Sequence, residues 1–164
     1  MTLIRSVVAV LAGLGLISLV VEPLEFTLVK AVSGGEVNDM AGYFAIRNQP
    51  GILAAKLVYN TLAAILGGYL TAKVARSNEM RHAAIAAAAQ TLSFAYGFTL
   101  GEFAAFTPVW MRVALVVLTG PAMLLGGSIR ARAAASDVRS VRLQPDQELD
   151  EPEKVRAEHG TENT

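Results

Sequence analysis

The sequence predicts an all-α, integral membrane four-helix bundle, built as two transmembrane hairpins with cytoplasmic termini and a disordered C-terminal tail. Three observations predict it. The apolar residues are gathered into four long runs that carry no formal charge. Basic residues alternate in density from one inter-run segment to the next. The last thirty or so residues are mainly polar and hold no apolar run. The averages conceal this. Over 164 residues the chain is 53% hydrophobic and 17% charged, with zero formal net charge, as though it were an ordinary soluble domain.

The runs are Ser6–Val21, Leu57–Ala72, Ala83–Gly101 and Val113–Ile129. A bilayer core about 30 Å thick takes about 20 mainly apolar residues per helix. Each run reaches that length once apolar residues beyond a flanking charge are added. Arg5, Lys56 and Arg112 are the flanking charges, and their long stems let the charged ends reach the interface. Soluble amphipathic helices show a polar face every turn or so, and these runs show none. The helices are therefore expected at about 3–25, 52–74, 82–104 and 109–131. The first helix is read as retained, because its apolar stretch runs into Glu22-Pro23 without a small-x-small cleavage site. The third is the least hydrophobic, with Ala83, Ala84 and Ala86–Ala89 in its first half.

Charge sets the expected orientation. Arg5, then Lys73, Arg76 and Arg81, then Arg130, Arg132, Arg139, Arg142, Lys154 and Arg156 fall in the first, third and fifth non-membrane segments. Only Lys30, Arg47, Lys56 and Arg112 fall in or beside the other two. The positive-inside rule then places both termini and the 73–82 connection in the cytoplasm, in what is read as a bacterial inner membrane. The outer loop, about 26–51, is expected to hold a short interfacial helix over 37–47. Asn38 or Asp39 would cap it, and Met40, Tyr43, Phe44 and Ile46 would face lipid. The tail, about 133–164, is polar and is expected to be disordered. Its basic first part would lie on anionic headgroups.

The ends of the second and fourth helices echo one another. Leu66–Lys73 and Leu125–Arg132 share the pattern Leu-Gly-Gly-x-aliphatic-x-Ala-basic. Whether or not this records a duplication, glycines let helix backbones approach in lipid, where no hydrophobic effect acts between helices. Gly67, Gly68, Gly97, Gly101, Gly126 and Gly127 are the expected packing residues. Pro121 is expected to free the Val117 carbonyl, with Thr119 helping to satisfy local polar groups.

Two groups of residues are candidates for function. Tyr59, Asn60, Gln90, Ser93 and Tyr96 are polar and deep in the runs, and are expected to bond between the second and third helices or to line a polar path. Glu22, Glu25, Lys56, Glu102 and Arg112 form a chargeable cluster at the outer boundary, with Glu22 or Glu25 expected to pair with Lys56.

Several classes are excluded or left without support. Zero Cys removes thiol catalysis, disulfides and Cys-based metal sites. With two His, at 82 and 159, no His-rich metal site is expected. His82 is read as an interfacial residue. No catalytic motif, cofactor or metal is expected, and the balanced charge argues against nucleic acid. The expected partners are the lipid bilayer and a homo-oligomer or another membrane protein. The leading expectation is a non-enzymatic accessory or structural membrane protein. The alternative is a small oligomeric transporter or channel with a polar path near Asn60, Gln90 and Tyr96.

Overall fold

The structure, a computed structural model, describes residues 3–35, 37–101 and 104–143, with side chains described as far as Asp137. Among the described residues it is helical throughout and has no strands. In order, the elements are α1 (Leu3–Ser33), α2 (Met40–Arg47), α3 (Pro50–Ala75), α4 (Glu79–Leu100), a 3-10 turn at Ala104–Phe106, and α5 (Val109–Leu143). The long helices α1, α3, α4 and α5 are each long and apolar enough to cross a membrane.

The boundaries differ from expectation in four places. α1 runs on to Ser33 past Pro23, although a proline removes the hydrogen bond to the Leu19 carbonyl. Beyond Glu25 its apolar residues keep helical spacing, and Val29 is 1% exposed, so the extension has something to pack against. α4 starts earlier, at Glu79, because Arg76 and Asn78 both take left-handed backbone conformations and turn the chain within three residues. It also stops earlier, at Gly101. α5 continues to Leu143, which corrects the expected disorder for 133–143. The segment's Ala and Arg residues are strong helix formers, and polarity alone does not report that. Residues 144–164, also expected to be disordered, lie outside the described residues. The chain divides into two compact units, Met1–Ala131 and Arg132–Thr164. In the second, Ser136 hydrogen-bonds the Ala133 carbonyl within its own helix.

In the first unit, much of the interior is small: Ala9, Ala63, Ala64, Ala72, Ala75, Ala83 and Ala86 are each at most 1% exposed, beside larger buried residues such as Met111, Met123 and Leu53. Large apolar side chains such as Leu11, Leu62, Leu92 and Val117 point outward and are more than half exposed. Helices solvated by lipid gain nothing by burying leucine and pack instead through small residues.

Helix α3 is the centre of this arrangement. Its Gly67 lies against Gly13 and Ile17 of α1, and its Gly68 lies against the Met123 backbone of α5. Gly126 of α5 lies against the Ile65 carbonyl and the Tyr69 nitrogen of α3, and Gly127 faces Ala83 of α4. The two Gly-Gly pairs thus lie at close approaches between helices. Gly97 and Gly101 do not. A side chain on Gly97 would meet nothing within 4 Å, and the atoms nearest one on Gly101 are backbone atoms of Gly97. Thr119 bonds the Leu115 carbonyl, rather than serving the Val117 carbonyl, at 2.6 Å.

α2 departs most from its expected role. Asp39 caps it, accepting from the Gly42 N–H at 2.6 Å. Met40 is exposed as expected, but Phe44 and Arg47 are buried. Phe44 stacks on Phe106 with ring centroids 4.8 Å apart and planes 13° from parallel. Asn48 donates to the Phe106 carbonyl at 2.6 Å. The helix therefore packs across one end of the bundle instead of turning Tyr43 and Phe44 to lipid. The reason is electrostatic: Arg47, on the same face as Phe44, finds a carboxylate partner inside.

Candidate functional site

Glu25 of α1 is the centre of a buried ion cluster at the α2 end of the bundle. Its Oε1 faces Arg47 Nε at 2.7 Å and accepts from the Tyr43 hydroxyl at 3.3 Å. Its Oε2 accepts from Lys56 Nζ and, at 3.3 Å, from the Tyr59 hydroxyl. The side chains of Glu25, Lys56 and Arg47 are 13%, 8% and 9% exposed. A buried carboxylate is tolerated when both oxygens are satisfied, and here each has two partners. Arg47 also donates to Thr107 at 3.2 Å and lies over the Phe44 ring, 5.0 Å from its centroid. Burial first, and then the negative charge of Glu25, push the Tyr43 phenol above its usual pKa.

Beside this cluster lies a cavity of about 290 Å³. α1 contributes Ile17, Ser18, Val21 and Glu22; α2 contributes Arg47; α3 contributes Lys56 and Asn60. α4 contributes Gln90, Ser93, Phe94, Gly97 and Phe98. Ala104, Thr107 and Leu115 complete the wall. All of these residues lie in the half of the bundle nearer α2. In the other half the backbones meet at the glycines described above, with alanine filling the space between.

The expected site residues separate into three groups. Tyr59, Asn60, Gln90, Ser93, Glu22, Glu25 and Lys56 come together at the cluster or the cavity, and the expected pairing of Lys56 is to Glu25. Tyr96 is not among them: it is 67% exposed on the outer face of α4. Arg112 is also apart, donating to the Phe98 carbonyl at 3.0 Å. Glu102 lies outside the described residues. Among the described residues, no bond of these side chains joins the second and third spans. Asn60 instead donates to the Lys56 carbonyl of its own helix at 2.9 Å.

Sequence reasoning missed Arg47, Tyr43 and Thr107. A signal for the first two was present. Tyr43, Phe44 and Arg47 share a face of α2 at helical spacing, and a Glu within an apolar helix needs more than one cation to be buried comfortably. Thr107 carried no such signal, since it reaches the site only through the fold of the α4–α5 connection.

His82 is buried, in contrast to the interfacial role expected of it. Its ring nitrogens lie 3.1 Å from the Ser6 hydroxyl and 3.1 Å from the Asn78 carbonyl. Neither Ser6 nor His82 lines the cavity, so this pair ties α1 to the start of α4. Among the described residues no cluster of three or more His, Asp or Glu is placed to hold a metal.

The role of Arg47 in seating α2 gives a direct expectation. Arg47→Ala removes its contacts with Glu25 and Thr107 together and should release α2 locally. Amide exchange over 40–48 should rise at least about tenfold, while exchange in the middle of α3 stays unchanged. Equal protection of α2 in the variant would show that Phe44 alone holds it.

Compared with known proteins, the chain matches no family model, no curated protein and no solved structure.

Proposed function

We propose that the protein is a non-enzymatic accessory protein of the bacterial inner membrane, with four spans and cytoplasmic termini, that binds a small polar molecule from the outer side. The observation that carries this reading is the contrast between the halves of the bundle. The half nearer α2 holds a cavity with charged and amide side chains set among apolar ones on its wall. The half bearing the basic 73–82 connection is closed by glycine and alanine contacts between helices. Few, well-placed polar groups on an otherwise apolar concave wall are what small-ligand sites use. A closed opposite half favours holding a solute over conducting it.

Membrane insertion and sidedness are supported by the outward-facing leucines and valines and by the positive-inside count. The exposed face of α4, with Leu92, Tyr96 and Leu100, is where lipid, a second copy or another membrane protein would lie. The transporter alternative is favoured by the amides on the cavity wall, Asn60 and Gln90.

Because the chain has no Cys, single introduced thiols report sidedness cleanly. In intact cells, Met40→Cys should react with a membrane-impermeant maleimide, and Ser77→Cys should react only after lysis. The reverse pattern would overturn the orientation. Proteoliposomes containing the protein should show no solute flux above empty vesicles. Flux that disappears with Asn60→Leu would replace the accessory reading with the transporter one.

A further inference from the structure

The charges around the cavity point to the chemical class of its ligand, an inference that rests on the binding reading above. Four charged groups face or back the cavity. Glu25 is already engaged on both oxygens, by the Tyr43 hydroxyl and the Arg47 ion pair on Oε1 and by Lys56 and Tyr59 on Oε2. Its partners are not fully engaged. An ammonium has three donors and a guanidinium has five. Lys56 gives one to Glu25, and Arg47 uses Nε toward Glu25 and Nη1 toward Thr107. Both side chains line the cavity while being 6% and 7% exposed as residues. Donors remain on each that protein groups do not occupy. Glu22, an exposed residue, lines the mouth of the cavity, and no hydrogen bond or ion pair is made to its carboxylate among the described residues. Lys56, Arg47 and Glu25 together carry one excess positive charge, and Glu22 carries one negative charge.

We propose that the cavity binds a small zwitterion of the amino-acid or betaine type, its anionic end at Lys56 and Arg47 and its cationic end at Glu22. A simple anion would meet the donors but leave the Glu22 carboxylate facing it. A simple cation would satisfy Glu22 and be repelled by Lys56 and Arg47. A neutral ligand would leave the one excess positive charge of the buried Lys56, Arg47 and Glu25 cluster without a counterpart. A zwitterion answers both charges and adds none. Asn60 and Gln90 supply amide groups for the remaining lone pairs, and Phe94 and Phe98 supply an apolar wall for the carbon skeleton. The volume, about 290 Å³, lies at the lower edge of the range of about 300–1,000 Å³ for ligand pockets. That restricts the ligand to a few heavy atoms beyond its charged ends.

The test uses the full chain in lipid nanodiscs, titrated with alanine and glycine betaine as zwitterions, acetate as anion, choline as cation and glycerol as neutral probe. Thermal unfolding and equilibrium dialysis are the readouts. At least one zwitterion should bind, and should bind at least about tenfold more tightly than acetate or choline. Glu22→Gln should weaken zwitterion binding about tenfold or more while leaving acetate binding equal or tighter, because it removes one charge-assisted contact. No protein group is bonded to Glu22 among the described residues, so the unliganded midpoint of this variant should match that of the original chain. If acetate or glycerol binds as tightly as the zwitterions, and that binding is lost with Asn60→Leu, the ligand class is wrong and the cavity reading stands. Absence of binding by every probe would overturn both.

Discussion

Replacing Glu25 with Leu is expected to be the most damaging single change in the polar part of the protein. It leaves Lys56 and Arg47 buried beside one another with no counter-ion. Removing one member of a buried ion pair costs about 3–5 kcal/mol, a large share of the ordinary stability of about 5–15 kcal/mol of a folded domain. The midpoint of thermal unfolding in detergent, followed through the single Trp, Trp110, should fall steeply or the protein should fail to accumulate. Lys56→Leu should also destabilise, by the smaller amount of about 1–3 kcal/mol, because Arg47 still pairs with Glu25 and only one hydrogen-bonded partner is lost. The order of the two losses is diagnostic. Equal losses would mean that Arg47 contributes nothing to the cluster, and an unchanged midpoint in either variant would remove the structural account of it. Replacing all three charged residues with apolar ones should recover much of the stability, since an uncharged interior carries no desolvation cost. It should also abolish ligand binding. That separation would show what the charges are retained for.

The parts of the molecule legible in the sequence are those that depend on a local property of the chain. Uncharged length locates the four long helices. Glycine pairs locate the contacts of α3 with α1 and α5. A Glu and a Lys at similar depth locate one ion pair. What is not legible depends on the chain returning to itself. Tyr43 and Phe44 look like interfacial residues when α2 is read alone. They turn inward because Arg47, on the same face, meets Glu25 from a helix that continues well beyond its expected end at about 25. Tyr96 has the same composition signal as Tyr59 and a similar depth, but rotation about α4 sends it to the exterior. Depth along a helix can be counted from sequence. Azimuth around it needs a periodic pattern, and α4 has little: the Ala-rich run 83–89 gives only Ile85 as a large side chain to mark a face. The same uniformity explains why Gly97 and Gly101 resemble contact residues in the sequence. Their spacing fits a close approach, but spacing does not say which side of the helix a neighbour occupies.

Gly68→Ala and Gly126→Ala are expected to give the largest losses among the apolar positions. An added Cβ at Gly68 would lie 2.6 Å from the Met123 carbonyl carbon, and one at Gly126 would lie 2.8 Å from the Ile65 carbonyl carbon. In both cases the obstacle is backbone, which has no rotamer to change, so α3 and α5 must separate. Overpacking of a close interior contact costs about 1–3 kcal/mol, and separating the helices also forfeits the surrounding dispersion contacts at Ala63, Ala64 and Ala122. Gly97→Ala is the control. It sits in the same kind of helix with open space around its Cβ, so it should gain up to about 1 kcal/mol from helix propensity alone. Opposite signs at Gly68 and Gly97, read as unfolding midpoints in one detergent, are the expected result. If Gly97→Ala destabilises as much as Gly68→Ala, then the cavity wall that Gly97 lines is in close contact with something that this chain does not supply. The Gly68/Gly126 double variant adds a further check. Both glycines serve one helix contact, so the second substitution should cost less than the first once α3 and α5 have moved apart. Additive losses would mean that the two close approaches are independent, and that α3 and α5 can yield at one without relieving the other.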